Sequence, residues 1–147
     1  LPEAPASRAM AQEAMSRVSE LAAKDLASLI WASATGAQPA SLLKALAPEA
    51  MRKLRQFSIR HLANVSWAMA FSSLPPEVFI QEATRRPQQL DRPADLSAFC
   101  WSLAVVRTAC PEMVAVLAGG VQQRLREFSS AALLGLTWSF VVLRTGA

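Results

Sequence analysis

"HLANVSWAMA" (residues 61–70) decides the fold, because versions of it return as "DLASLIWASA" (25–34), "DLSAFCWSLA" (95–104) and "ALLGLTWSFV" (132–141). Each copy carries one of the four tryptophans, and the steps Trp31–Trp67, Trp67–Trp101 and Trp101–Trp138 are 36, 34 and 37 residues. A phrase recurring every ~20–50 residues is the mark of a repeat architecture. On a helical wheel Leu26, Leu29, Ile30, Ser33 and Ala34 share one broad side, with Trp31 at its border. Leu62, Val65, Ser66, Met69 and Ala70 do the same beside Trp67. That periodicity is helical and fits strand alternation poorly.

A second phrase follows each first one after a proline: Pro39 in "QPASLLKAL", Pro75-Pro76 in "LPPEVFIQEA" and Pro111 in "CPEMVAVLA". Proline suits a first helical turn, whose N–H lacks a helical partner, and Glu77 and Glu112 then favour the positive end of the helix dipole. The second helix closes on a cadence, "LRQFS" (54–58) and "LREFS" (125–129), with "VSELA" (18–22) in the same slot. The chain therefore reads as all-α, a right-handed α-solenoid of helix-pair repeats with about eight helices. A partial repeat covers 1–21, repeats cover about 22–57, 58–91 and 92–128, and a partial repeat covers 129–147. A lone helix pair cannot bury its apolar faces, so stacking supplies the core. A tryptophan recurring with an apolar helix face is expected in that core, wedged between neighbouring modules, with stacking on bases the lesser alternative. Trp138, in the last helix, is expected on an apolar patch. Gly119-Gly120 is expected to kink its helix or to mark a close approach.

The chain has 147 residues, one domain's worth, with 52% hydrophobic and 18% charged residues, a composition for folding rather than disorder. The weakly polar stretches 96–106 and 131–143 fall short of the ~20 residues of a membrane helix, so no membrane is expected. The net charge of +4 is compatible with nucleic acid but modest. Cys100 and Cys110 have neither disulfide-framework nor zinc spacing, so no metal is expected. The start at Leu1, without a signal segment, suggests a processed chain or a piece of a longer one.

"LANVSWAMA" at 62–70, with "LASLIWASA" and the more divergent "LSAFCWSLA" and "LLGLTWSFV", resembles the Leu-Ala-Asn-x-x-Trp-Ala-x-Ala core of the octatricopeptide and heptatricopeptide repeat families. The lead-in "ALAPEAMRKLRQFS" (45–58) is similar to the family's second helix. The resemblance implies a mitochondrial or chloroplast protein that binds transcripts and governs their stability, processing or translation. Some relatives sit in mitochondrial ribosomes, so a protein–protein scaffold subunit of such an assembly is the alternative.

Single-strand recognition needs a cationic track and a row of small or polar side chains beside it. Cations recur near the ends of the second helices: Arg17, Lys53, Arg86 and Arg124, with Arg52, Arg55, Arg85 and Arg126 beside them. They are candidates for phosphate contacts, or complements to helix C-terminal dipoles. Three residues before each tryptophan stand Ser28, Asn64, Ala98 and Gly135, candidate base readers or small residues that permit close helix approach. Asn64 is the best of these, since an amide pairs with a base edge through two atoms. Asp25, His61 and Asp95, six before the tryptophan, form a second candidate row, the aspartates equally suited to capping. One residue after each tryptophan, Ala32, Ala68, Ser102 and Ser139 form a further small row. One histidine without a cysteine or serine at motif spacing gives no catalytic constellation, and no cofactor or small-molecule substrate is expected. The partners expected are single-stranded RNA and, at the last helix, a protein or the continuing chain.

Overall fold

The structure, a computed structural model, describes residues 5–36, 40–107 and 110–145. Pro39 lies outside them. The described residues form eight α-helices and no strand: α1 (Pro5–Ser16), α2 (Ala23–Thr35), α3 (Ala40–Arg52), α4 (Ile59–Phe71), α5 (Glu77–Thr84), α6 (Pro93–Val105), α7 (Pro111–Gln123) and α8 (Ser130–Thr145). None is long and apolar enough to cross a membrane. The all-helical class expected from the wheel is what the chain adopts.

Contacts between helices follow a simple order. α2 packs on α4, α4 on α6 and α6 on α8, making a row of even-numbered helices. α2, α4 and α6 each also pack on the helix that follows them in the chain, and α5 packs on α7. The recurring cadence is a 3-10 turn at Val18–Glu20, Leu54–Gln56, Pro87–Gln89 and Leu125–Glu127. In three of the four turns the next residue, Phe57, Leu90 or Phe128, is buried and pins the turn. Helix starts obey local chemistry: Pro93 and Pro111 occupy first turns, as do Glu77 and Glu112. Ser58 caps α4 in a reciprocal box with His61.

One continuous core runs between the rows, built from Leu26 and Ile30 on α2, Leu62, Val65 and Met69 on α4, and Leu96, Phe99 and Leu103 on α6. Of the tryptophans only Trp67 packs against it, which departs from the sequence expectation for the other three. Trp31, Trp101 and Trp138 are 46%, 49% and 49% exposed, and Trp67 is half-buried. The physical reason is their place on the border of the apolar arc: leucine, isoleucine and alanine take its buried centre, and the indoles lie along its edge. At Gly119-Gly120 α7 continues unbroken. Close approach is the operative reading at Gly120, where an added Cβ would lie 2.9 Å from Leu96 Cδ2. Gly119 has open space around it.

Candidate nucleic-acid interface

The outer face of the even-numbered helices is built by their shared register. Arg60 on α4 donates to Asp95 on α6 (Nε to Oδ1 3.0 Å; the second guanidinium nitrogen at 2.9 Å), tying the two first turns together. Seven and six residues further on, Trp67 and Trp101 stack with ring centroids 6.4 Å apart and planes 23° apart. The two helices are therefore parallel and in register. Phe71, one turn beyond Trp67, stacks on it at 4.9 Å and 16°. Trp31 on α2 and Trp138 on α8 hold the same helical position. Phe71, Val105 and Val141, one turn past the indoles, are exposed as well. The ring contacts join Phe71, Trp67 and Trp101 into one stacked group.

The small row before the tryptophans borders these indoles. Ser28 and Gly135 are exposed, and Asn64 and Ala98 are half-buried. The Ser28 hydroxyl donates to the Lys24 carbonyl at 2.9 Å, leaving its oxygen able to accept. Gly135 has nothing near the place of a Cβ, so close approach does not explain it. Of the row six before the tryptophans, only Asp25 is exposed. Asp95 is buried against Arg60 and so is not placed as an outward reader. It supplies an ion pair between repeats, and Asp25 and Asp95 both sit in first turns without making the side-chain cap. His61 does cap. Its backbone N–H donates to Ser58 Oγ at 3.2 Å, and its Nδ1 accepts the Ser58 backbone N–H at 3.4 Å. Partial burial lowers the His61 pKa, and the neighbouring Arg60 lowers it further. In the row after the tryptophans, Ala68, Ser102 and Ser139 are buried at helix contacts, while Ala32 is exposed.

The cations divide into two groups. Lys53 and Arg86, each only 15% exposed, are turned inward. Lys53 Nζ binds Glu49 (3.1 Å) and donates to the carbonyls of Ser19 (2.9 Å) and Leu21, at the end of the preceding turn. Arg86 pairs with Glu82 and donates to the carbonyls of Phe57 (2.9 Å) and Leu54 (3.4 Å). These two are clasps from one repeat to the turn before it, which departs from the phosphate expectation for both. The Arg52 guanidinium beside Glu49 holds that carboxyl below the usual carboxylate range, against burial and with help from Lys53. Arg52, Arg55, Arg85 and Arg126 are exposed, near the turns that lead into the even-numbered helices. Arg17 pairs with Glu13 at 2.6 Å and Arg124 with Glu127 at 3.5 Å.

The clasps carry a signal that the cations alone did not. Glu13/Arg17, Glu49/Lys53 and Glu82/Arg86 share an acid–x–x–x–base spacing, with Gly120/Arg124 as the departure. Among the described residues no group of histidine, cysteine and carboxylate side chains could hold a metal. Burial pushes the Cys100 thiol up to about 12, so it stays protonated at neutral pH. No family model, curated protein or solved structure matches the chain.

Proposed function

We propose that the chain is a right-handed α-solenoid of octatricopeptide-type helix pairs that binds single-stranded RNA without catalysing a reaction. On this reading it serves RNA stability, processing or translation in a mitochondrion or chloroplast. One observation carries the proposal: indoles recur at one helical position of α2, α4, α6 and α8, and three are about half exposed beside a row of small and polar side chains. Every base has a π-face, so an aromatic platform takes a strand of any sequence, and each stacked base contributes ~1–3 kcal/mol. Exposed Arg55, Arg85 and Arg126 supply phosphate contacts in place of Lys53 and Arg86. Ser28 and Asn64 are the polar groups best placed to favour one base over another.

Titration with single-stranded RNA pools at low salt tests this, reading tryptophan fluorescence and filter retention together. The expected result is quenching with saturation, and with ~3 phosphate contacts a log–log salt slope of about −2. Absence of both quenching and retention for every pool refutes the proposal. The scaffold reading is favoured by a separate feature, the highly exposed Leu134 beside Trp138 on α8. It expects a polypeptide partner that co-purifies with the chain and is released by a polar substitution at Leu134, with RNA affinity unchanged.

A further inference from the structure

Clasps close two successive junctions along the odd-numbered row, and the next junction is open. Lys53 and Arg86 each donate to the carbonyl that ends the preceding turn, Leu21 for Lys53 and Phe57 for Arg86. Each is neutralised by a buried acid four residues earlier, Glu49 or Glu82. At the open junction the equivalents are Arg124, the Leu90 carbonyl and Gly120. Glycine supplies no acid there. Arg124 is 35% exposed where the other two cations are 15%, and its side-chain partner among the described residues is the exposed Glu127 at 3.5 Å.

The difference begins in the segment between α5 and α6. Two residues, Asp91 and Arg92, separate Leu90 from the first residue of α6, whereas a single residue, Ala22, Ser58 or Ser129, fills that place after the other turns. Leu90 leaves its turn at ψ 49°, against 133°, 136° and 142° at Leu21, Phe57 and Phe128, so its carbonyl is rotated by roughly a quarter turn from theirs. Open space flanks the same segment. About 340 Å³ lies toward α7, bordered by Leu90, Asp91, Gly120 and Arg124 among others. About 240 Å³ lies toward the start of α4, bordered by Ser58, Arg60, Asp91 and Arg92 among others. Each residue of 87–92 borders one of these cavities, and Asp91 borders both.

We propose that segment 87–92 is a strap with two positions, the open one seen here and a closed one that completes the missing clasp. In the closed position the strap swings into the larger cavity and the Leu90 carbonyl accepts from the Arg124 guanidinium. Asp91, the inserted residue, then supplies the carboxylate that Gly120 lacks. Closing exchanges a screened surface pair with Glu127 for charge-assisted bonds in a less exposed place. It requires Asp91, because a cation drawn inward without a counter-charge is strongly disfavoured. That requirement and the rotated Leu90 carbonyl make the closed position the minor one. The strap runs directly into α6, the helix of Asp95 and Trp101, so its position sets how the third repeat sits on the second. The inference does not rest on RNA binding.

Amide relaxation dispersion on the RNA-free chain tests it, because it reads exchange with a minor conformer on the μs–ms scale. Exchange is expected at residues 88–92 and at the Arg124 side chain with one shared rate, and is not expected at the turns that Lys53 and Arg86 clasp. Arg124→Gln and Asp91→Asn should each abolish it. Glu127→Gln should raise the closed population by up to about fivefold, the worth of a surface ion pair. None of these three side chains is buried, so the variants fold, which circular dichroism verifies. Flat profiles with a single set of peaks across 88–92 overturn the proposal. So does exchange that persists unchanged in Arg124→Gln or Asp91→Asn, which is loop motion without a clasp.

Discussion

Replacing Arg86 with alanine separates the clasp from the phosphate role more sharply than any other change. Glu82 is 7% exposed, and Arg86 neutralises it while capping two carbonyls of the preceding turn. Without the guanidinium, the carboxylate keeps only Arg85 at 3.7 Å, and the Phe57 carbonyl loses its 2.9 Å donor. Removing one partner of a buried ion pair costs ~3–5 kcal/mol. Residual exposure and the surviving Arg85 contact bring the expected loss to about 2–3 kcal/mol. With a urea m-value of ~2 kcal/mol/M for a chain of this size, the midpoint should fall by about 1–1.5 M. Arg85→Ala is the control. Its guanidinium is 71% exposed, and surface pairs of that kind contribute ~0–1 kcal/mol. Adding Glu82→Gln to Arg86→Ala should recover part of the loss, because the stranded charge is the larger part of the cost. Equal midpoints for Arg86→Ala and Arg85→Ala would refute the clasp.

Three further outcomes are expected. Gly119→Ala should raise stability by about 0.5–1 kcal/mol through helix preference, whereas Gly120→Ala should lower it because the new methyl meets Leu96; paired thermal melts read the difference. His61 has a folded pKa below its ordinary 6.5, so the unfolded chain binds its proton more readily. Stability from this group is therefore complete above pH 6.5 and is lost as the pH falls from there toward the folded pKa, and His61→Gln should remove that slope in denaturation across the window. Trp31→Ala should leave the urea midpoint within about 0.5 kcal/mol of wild type while weakening single-stranded RNA binding by roughly 5–100-fold on the proposed reading. A large loss of stability would instead return the indole to the core.

The helical class and the number of helices were legible because they follow from local rules: a 3.6-residue apolar period, proline near helix starts and a repeated closing cadence. The placement of the indoles was not. A residue at the border of an apolar arc goes inward or outward according to how much volume the neighbouring helix leaves. Here Ala27, Ala63 and Ala68 are buried together with Leu26, Leu62 and Val65, and the indoles stay on the border. Lys53 and Arg86 were misplaced for another reason. The groups that capture them are backbone carbonyls of a different turn, and an acceptor of that kind has no letter in the sequence. Arg60 and Asp95, 35 residues apart, both have letters, but their pairing depends on which helices lie side by side. The acid–x–x–x–base spacing was visible, but on a helix surface it reads equally as a solvated i,i+4 pair, as it is at Glu13–Arg17.

The same geometry bears on what the indole row is for. Burying an aromatic side chain removes ~150–250 Å² from water, at roughly 25 cal/mol per Å². Three indoles left about half exposed therefore forgo on the order of 2–3 kcal/mol each, several times what a helix cap contributes. A fold that needed only stability could place alanine or a polar residue at Trp31 and Trp138, which are not among the side chains packed against the core. Their recurrence at one helical position, while Ser28, Asn64, Ala98 and Gly135 differ from copy to copy one turn away, is the pattern of a common platform with variable neighbours. On the proposed reading the platform stacks bases, which are flat and ordered along a single strand, and the variable neighbours meet their edges.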